Sequence, residues 1–159
     1  GQAHERVDLR ALVTQCVADF VPLADAKGVD LGIAARDTVV VQGWPADLKM
    51  LFGNLVDNAI RYTPAGGSVD VSVRQNGNSV AVEILDTGCG VAKADIPRLF
   101  DRFFRAAPLD VEGSGLGLSI ADAVATRHGF AIQIENRADR AGLRVRVSAL
   151  LDEGSLNQR

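Results

Sequence analysis

A large excess of either charge is missing from this chain. Its 159 residues carry 17 Lys and Arg against 20 Asp and Glu, a formal net charge of −3. Without a basic excess there is no electrostatic footprint for general nucleic-acid binding. Potential metal ligands are equally few. Two Cys and two His make a zinc site of ordinary spacing untenable. Cys16 falls in an amphipathic stretch and Cys89 inside a glycine turn, so they read as two free thiols of a reducing compartment. No apolar run approaches the roughly 18 residues of a membrane span, and no signal-peptide pattern opens the sequence. Also missing are the P-loop ending in Gly-Lys-Ser/Thr, the kinase His-Arg-Asp and Asp-Phe-Gly signatures, and any internal repeat.

What is present fits one soluble domain with one core. Hydrophobic residues make up 47% and charged residues 23%. Leu9, Leu12, Val13, Cys16, Val17 and Phe20 recur at helical spacing. Asp8 is placed to cap that helix, which runs to Lys27 and stops at Gly28. Residues 29–34 and 38–42 read as a strand pair turning at Arg36-Asp37. Gly43-Trp44-Pro45 introduces a second helix over 46–62, with Pro45 near its first turn. Thr63-Pro64-Ala65-Gly66-Gly67 stops it. Val69, Val71 and Val73 alternate as in a half-buried strand, and Asn76-Gly77-Asn78 turns into a return strand through Val80, Val82 and Ile84 to Asp86. A loop-rich stretch over 88–115 precedes a helix over 116–128 and strands over 130–135 and 143–150. This order predicts an α/β two-layer sandwich: a mixed, mostly antiparallel sheet with helices on one face.

Four segments carry chemistry. On the second helix Leu48, Phe52, Leu55, Val56 and Ala59 fall on one side, and Asn54, Asn58 and Arg61 on the other. Asn is a mediocre helix former, so the pair marks either plain solvent exposure or a site. An amide oxygen is a hard ligand suited to Mg²⁺, and Arg61 would face the same phosphates. Asp57 is read as lying on another part of the helix. Asp86-Thr87-Gly88-Cys89-Gly90 ends a strand; its Asp either receives an exocyclic amine or bonds its own turn. Gly113-Ser114-Gly115-Leu116-Gly117-Leu118 precedes a helix and suits phosphate at a helix N-terminus. Phe100, Phe103 and Phe104 cluster, a satellite core that can also dock a partner.

In this order the segments resemble the Bergerat-fold ATPase superfamily and, within it, the catalytic and ATP-binding domain of histidine kinases. The N box is 54–62, the G1 box 86–90, the F box 100–105 and the G2 box 113–118, and the resemblance runs over 7–150. It implies ATP and Mg²⁺ as cofactors, with Asn58 on the metal and Asn54 supporting the phosphates. Arg61 and Tyr62 would contact nucleotide, and Asp86 would read the adenine amino group between Gly88 and Gly90. Residues 100–117 would form an ATP lid, with Arg105, Gly113, Gly115, Leu116 and Gly117 at the nucleotide. Hydrolases of the superfamily carry a general-base Glu where this chain has Asn54, and an amide takes no proton at neutral pH. That implies phosphotransfer.

Neither His4 nor His128 stands in an acceptor context, so the acceptor is expected on a separate helical hairpin. The expected partners are that dimerisation hairpin and a cognate response regulator, the 159 residues themselves being monomeric. Residues 1–6 read as a linker or cloning remnant, 7–151 as the catalytic domain and 152–159 as a polar tail. The resemblance implies a cytoplasmic domain of a parent protein attached to the inner membrane of a bacterium. Two alternatives stand beside it: a serine/threonine kinase of the same superfamily of anti-sigma type, and a nucleotide-binding regulator without transfer activity.

Overall fold

The computed structural model describes residues 4–102, 104 and 117–151. Among them, seven strands and three α-helices occur in the order β1 (Glu5–Asp8), α1 (Leu9–Lys27), β2 (Asp30–Arg36), β3 (Val40–Gly43), α2 (Pro45–Tyr62), β4 (Ser68–Asn76), β5 (Ser79–Asp86), α3 (Gly117–His128), β6 (Ala131–Asn136) and β7 (Leu143–Leu150). A short 3-10 helix, Lys93–Arg98, follows β5. Five strands form one sheet in the order β2-β4-β5-β7-β6, with only β2 and β4 parallel.

The helix ends follow local chemistry. Asp8 accepts a hydrogen bond from the Ala11 amide at the start of α1. Gly28 closes it at φ 80°, where a Cβ would be strained, and its N–H returns to the Ala24 and Asp25 carbonyls. Pro45 starts α2, where its missing N–H costs nothing. Gly77-Asn78 connects β4 to β5, with Asn76 opposite Ser79.

The expected strand pair over 29–42 does not form. β2 pairs with β4 in parallel, from Asp30 opposite Ser68 to Arg36 opposite Val73. β3 pairs instead with β1, a strand the sequence pattern did not reveal. A parallel neighbour requires a crossover, and α2 supplies it. β1 was illegible because its four residues hold a single apolar side chain, Val7, too little for alternation to register.

One core lies between sheet and helices. Leu48, Leu51, Phe52, Leu55, Val56 and Ile60 make α2 its spine, against Leu12, Val13 and Val17 of α1 and Val71, Val73, Val82, Ile84 and Val145 of the sheet. Burial of α2 between α1 and α3 leaves only a stripe of that helix for anything else.

Candidate functional site

That stripe carries Asn54, Asp57, Asn58, Arg61 and Tyr62, all half-buried. Helical spacing of four residues brings Asp57 beneath Arg61, and Nε donates to Oδ1 at 2.8 Å. Asp57 therefore shares the face of Arg61, contrary to the placement expected from the sequence. α2 and α3 run antiparallel: Arg127 pairs with Asp47 at 2.7 Å near one end, and Gly117 meets Asn54 toward the other. A Cβ on Gly117 would stand 3.5 Å from Asn54 Oδ1. The amide-rich start of α3, with its partial positive charge, thus lies beside the Asn-bearing face.

The last turn of α2 is fixed from α1. Lys27 Nζ donates to the Ile60 carbonyl at 2.9 Å and also to the Arg61 carbonyl. Fully buried Thr63 donates its hydroxyl to the Ala59 carbonyl at 2.7 Å. Against this end packs the loop that leaves β5. A Cβ on Gly88 would fall 2.6 Å from the Tyr62 carbonyl oxygen, so only glycine permits the approach. Gly90 has φ 75° and packs as closely on Asn136 Oδ1.

Asp86 lies in this junction, 5% exposed. Its Oδ1 accepts from the Gly88 amide at 2.9 Å and the Leu143 amide at 3.0 Å. The first bond is the turn geometry weighed for this residue; the second ties it to β7. Oδ2 has no hydrogen bond among the described residues. Burial raises the Asp86 pKa from its ordinary value, opposed by the Gly88 and Leu143 amides and the Arg137 guanidinium.

Several of these groups escaped the sequence reading. Thr87 Oγ1 accepts from the Ser68 amide at 2.9 Å. Arg137 Nη1 donates to the Asp86 carbonyl at 3.2 Å, and Asn136 bonds Val91. Lys27, Asn136 and Arg137 act across gaps of more than thirty residues, so no local pattern announces them. Two open clefts of about 270 and 320 Å³ flank Arg140, and neither is lined by Asn54, Asn58 or Asp86.

Phe100 and Phe104 are half-buried against the core, and the Arg98 guanidinium lies 4.2 Å from the centre of the Phe104 ring. The two rings thus extend the main core instead of forming a separate satellite cluster, and Phe103 lies outside the described residues. Arg105, Gly113, Gly115 and Leu116 lie outside the described residues. His128 is held structurally: Nδ1 lies 2.8 Å from the Val124 carbonyl, and Nε2 receives the Trp44 amide at 3.1 Å. His4 packs edge-on to Trp44 with ring centres 4.7 Å apart. Cys16 is buried, its thiol pushed up to about 11, chiefly by desolvation, whereas Cys89 is exposed. No group of three or more His, Cys, Asp or Glu is arranged for a metal among the described residues.

The family described as histidine kinase-, DNA gyrase B-, and HSP90-like ATPase has a sequence model that matches residues 43–153. Sensor protein SphS of Synechococcus elongatus is 38% identical over 155 residues, covering 92% of this chain and 38% of that protein. The chain thus spans well under half the length of the curated relatives it matches. Among solved structures, the mycobacterial sensor histidine kinase MprB superposes with a TM-score of 0.81 at 26% identity, over 93% of this chain and 97% of that one. Full-length ShkA in complex with AMPPNP gives a TM-score of 0.79 at 25% identity, over 94% of this chain and 31% of that one.

Proposed function

Because the chain belongs to the histidine kinase-, DNA gyrase B-, and HSP90-like ATPase family, as a catalytic domain of the sensor-histidine-kinase type, we propose that it binds Mg-ATP and passes the γ-phosphate to a His on a separate dimerisation hairpin. One observation carries this reading. Glycine contacts at both ends of the site, Gly117 on Asn54 and Gly88 on the Tyr62 carbonyl, bring three elements together. Those elements are the polar face of α2, the exit of β5 and the start of α3.

Asp86 Oδ2 is left to accept the adenine amino group, with Tyr62 and Gly90 beside the nucleotide. Asn58 offers a hard amide oxygen to Mg²⁺, a cation that takes few protein ligands and offsets phosphate charge. Asn54, the α3 N-terminus and Arg61 border the same region; Arg105, Gly113, Gly115 and Leu116 are assigned to the phosphates by motif alone. Asn54 holds no proton acceptor for water, and the neighbouring Asp57 is engaged by Arg61. Transfer to a protein acceptor is therefore favoured over hydrolysis. Half-buried Phe100 and Phe104 support the histidine-kinase reading over the anti-sigma type.

The domain is taken as residues 7–151. Its partners are the acceptor hairpin and a response regulator. Among the described residues no helix is long and apolar enough to cross a membrane; attachment of a parent protein to a bacterial inner membrane is inferred from the family resemblance alone. The chain incubated with labelled ATP should leave His4 and His128 unlabelled, and should label a cognate helical hairpin added in trans. Stoichiometric label on either of its own His would overturn the assignment.

A further inference from the structure

The G1 loop is held by more than its own turn. At its far end Asn136 makes a reciprocal pair with Val91: Oδ1 accepts the Val91 amide at 2.8 Å, and Nδ2 donates to the Val91 carbonyl at 2.6 Å. Both backbone groups of one loop residue are thus satisfied by one side chain from the end of β6. Gly90 reaches that side chain only by lacking a Cβ, which would stand 2.6 Å from Asn136 Oδ1. At the near end, Arg137 Nη1 donates to the Asp86 carbonyl at 3.2 Å and the Leu143 amide donates to Asp86 Oδ1 at 3.0 Å. Arg137 is itself fixed by Asp139, at 3.0 Å to Nε and 2.8 Å to Nη2. Gly142, at φ 140°, presses on the Asp86 carbonyl where any Cβ would collide.

The loop is therefore gripped at both ends by residues 136–143, a hairpin connection outside all four sequence boxes. It also touches α2 through Gly88 on the Tyr62 carbonyl and β4 through Thr87, bonded both ways to Ser68. We propose that Asn136 and Arg137 are positioning residues that set the depth and angle of Asp86 and so determine the purine selectivity of the site. The inference rests on the Mg-ATP reading and extends it to two residues outside the four sequence boxes. Selectivity between a 6-amino and a 6-oxo group depends on where one carboxylate oxygen stands, since an unpaired buried acceptor is penalised and a displaced one is hydrated. Phosphate binding along α2 and the start of α3 does not depend on that placement.

The test is calorimetric titration of the chain, Asn136→Ala and Arg137→Gln with Mg-ATP, Mg-GTP and inorganic triphosphate. In both variants ATP affinity should fall by about tenfold, with GTP changing much less, so that the ATP-to-GTP ratio shrinks by about fivefold or more. Triphosphate affinity should stay where it was. Asn136→Ser, whose single hydroxyl retains a donor and an acceptor, should recover part of the ratio; it also carries the test if the Ala variant does not fold. An unchanged ratio in folded variants, or an equal loss for ATP, GTP and triphosphate, would overturn the inference. Failure of the unsubstituted chain to bind ATP, or to prefer it over GTP, would instead sink the nucleotide reading beneath it.

Discussion

At Asp86 a carboxylate 5% exposed is held with one oxygen bonded and the other without a hydrogen bond among the described residues. Its pKa lies above the ordinary value because desolvation outweighs two amides and the nearby Arg137. A carboxylate shifted upward on folding stabilises the fold only while protonated. That contribution is complete below its unfolded pKa of about 4 and is lost as pH rises through the folded value. At neutral pH an ionised Asp86 is thus a cost to stability, which the proposed adenine contact would explain. Asp86→Asn keeps the shape and the acceptor for both amides. Its melting temperature should match the unsubstituted chain below about pH 4 and exceed it at pH 7. Its ATP affinity should fall and its preference for ATP over GTP should shrink, since an amide can donate to a 6-oxo group. Equal melting curves at both pH values, with both affinities unchanged, would make Asp86 a turn residue only.

Among the elements, α2 carries most of the burden, as core spine on one face and candidate site on the other. Its end must meet the G1 loop, and Gly88 sets that distance. In Gly88→Ala a Cβ would stand 2.6 Å from the Tyr62 carbonyl oxygen, a backbone atom that cannot swing aside. The variant should lose about 1–3 kcal/mol in urea unfolding, and ATP affinity should fall with it. Stability and affinity both within error of the parent would show that the junction yields freely. What the sequence disclosed at this scale follows from locality. The capping of α1 by Asp8 and Gly28, the Pro45 start of α2 and the Gly77-Asn78 hairpin are decided within a few residues, and all were legible. The partner of β2 was not, because a parallel neighbour lies beyond an intervening strand and helix. Asn58 and Asp86 could be picked out from helical spacing and a glycine turn. The clamp of Asn136 on Val91, the pairing of Arg61 with Asp57 and the reach of Lys27 to α2 depend on tertiary placement or rotamer choice.

At the scale of the whole molecule, one sheet and its helices bring the Asn face of α2, the exit of β5 and the start of α3 to the same end of the fold. The far end of the α2–α3 pair is closed by aromatic and ionic contacts: Arg127 over the Trp44 ring at 3.9 Å, Arg127 with Asp47, and His128 with the Trp44 amide. That division places His128 in structural contacts away from the proposed nucleotide end, with His4 exposed beside Trp44. The proposed function requires a Mg²⁺-dependent ATP site anchored on Asn58. Its most direct measurement is calorimetric titration of the chain with ATP in Mg²⁺ and again in excess chelator, beside Asn58→Ala. Binding should be saturable in millimolar nucleotide with Mg²⁺ and markedly weaker on chelation, and the weaker binding of the variant should no longer respond to the metal. Binding of equal strength with and without Mg²⁺, or an Asn58→Ala titration indistinguishable from that of the parent, would contradict it.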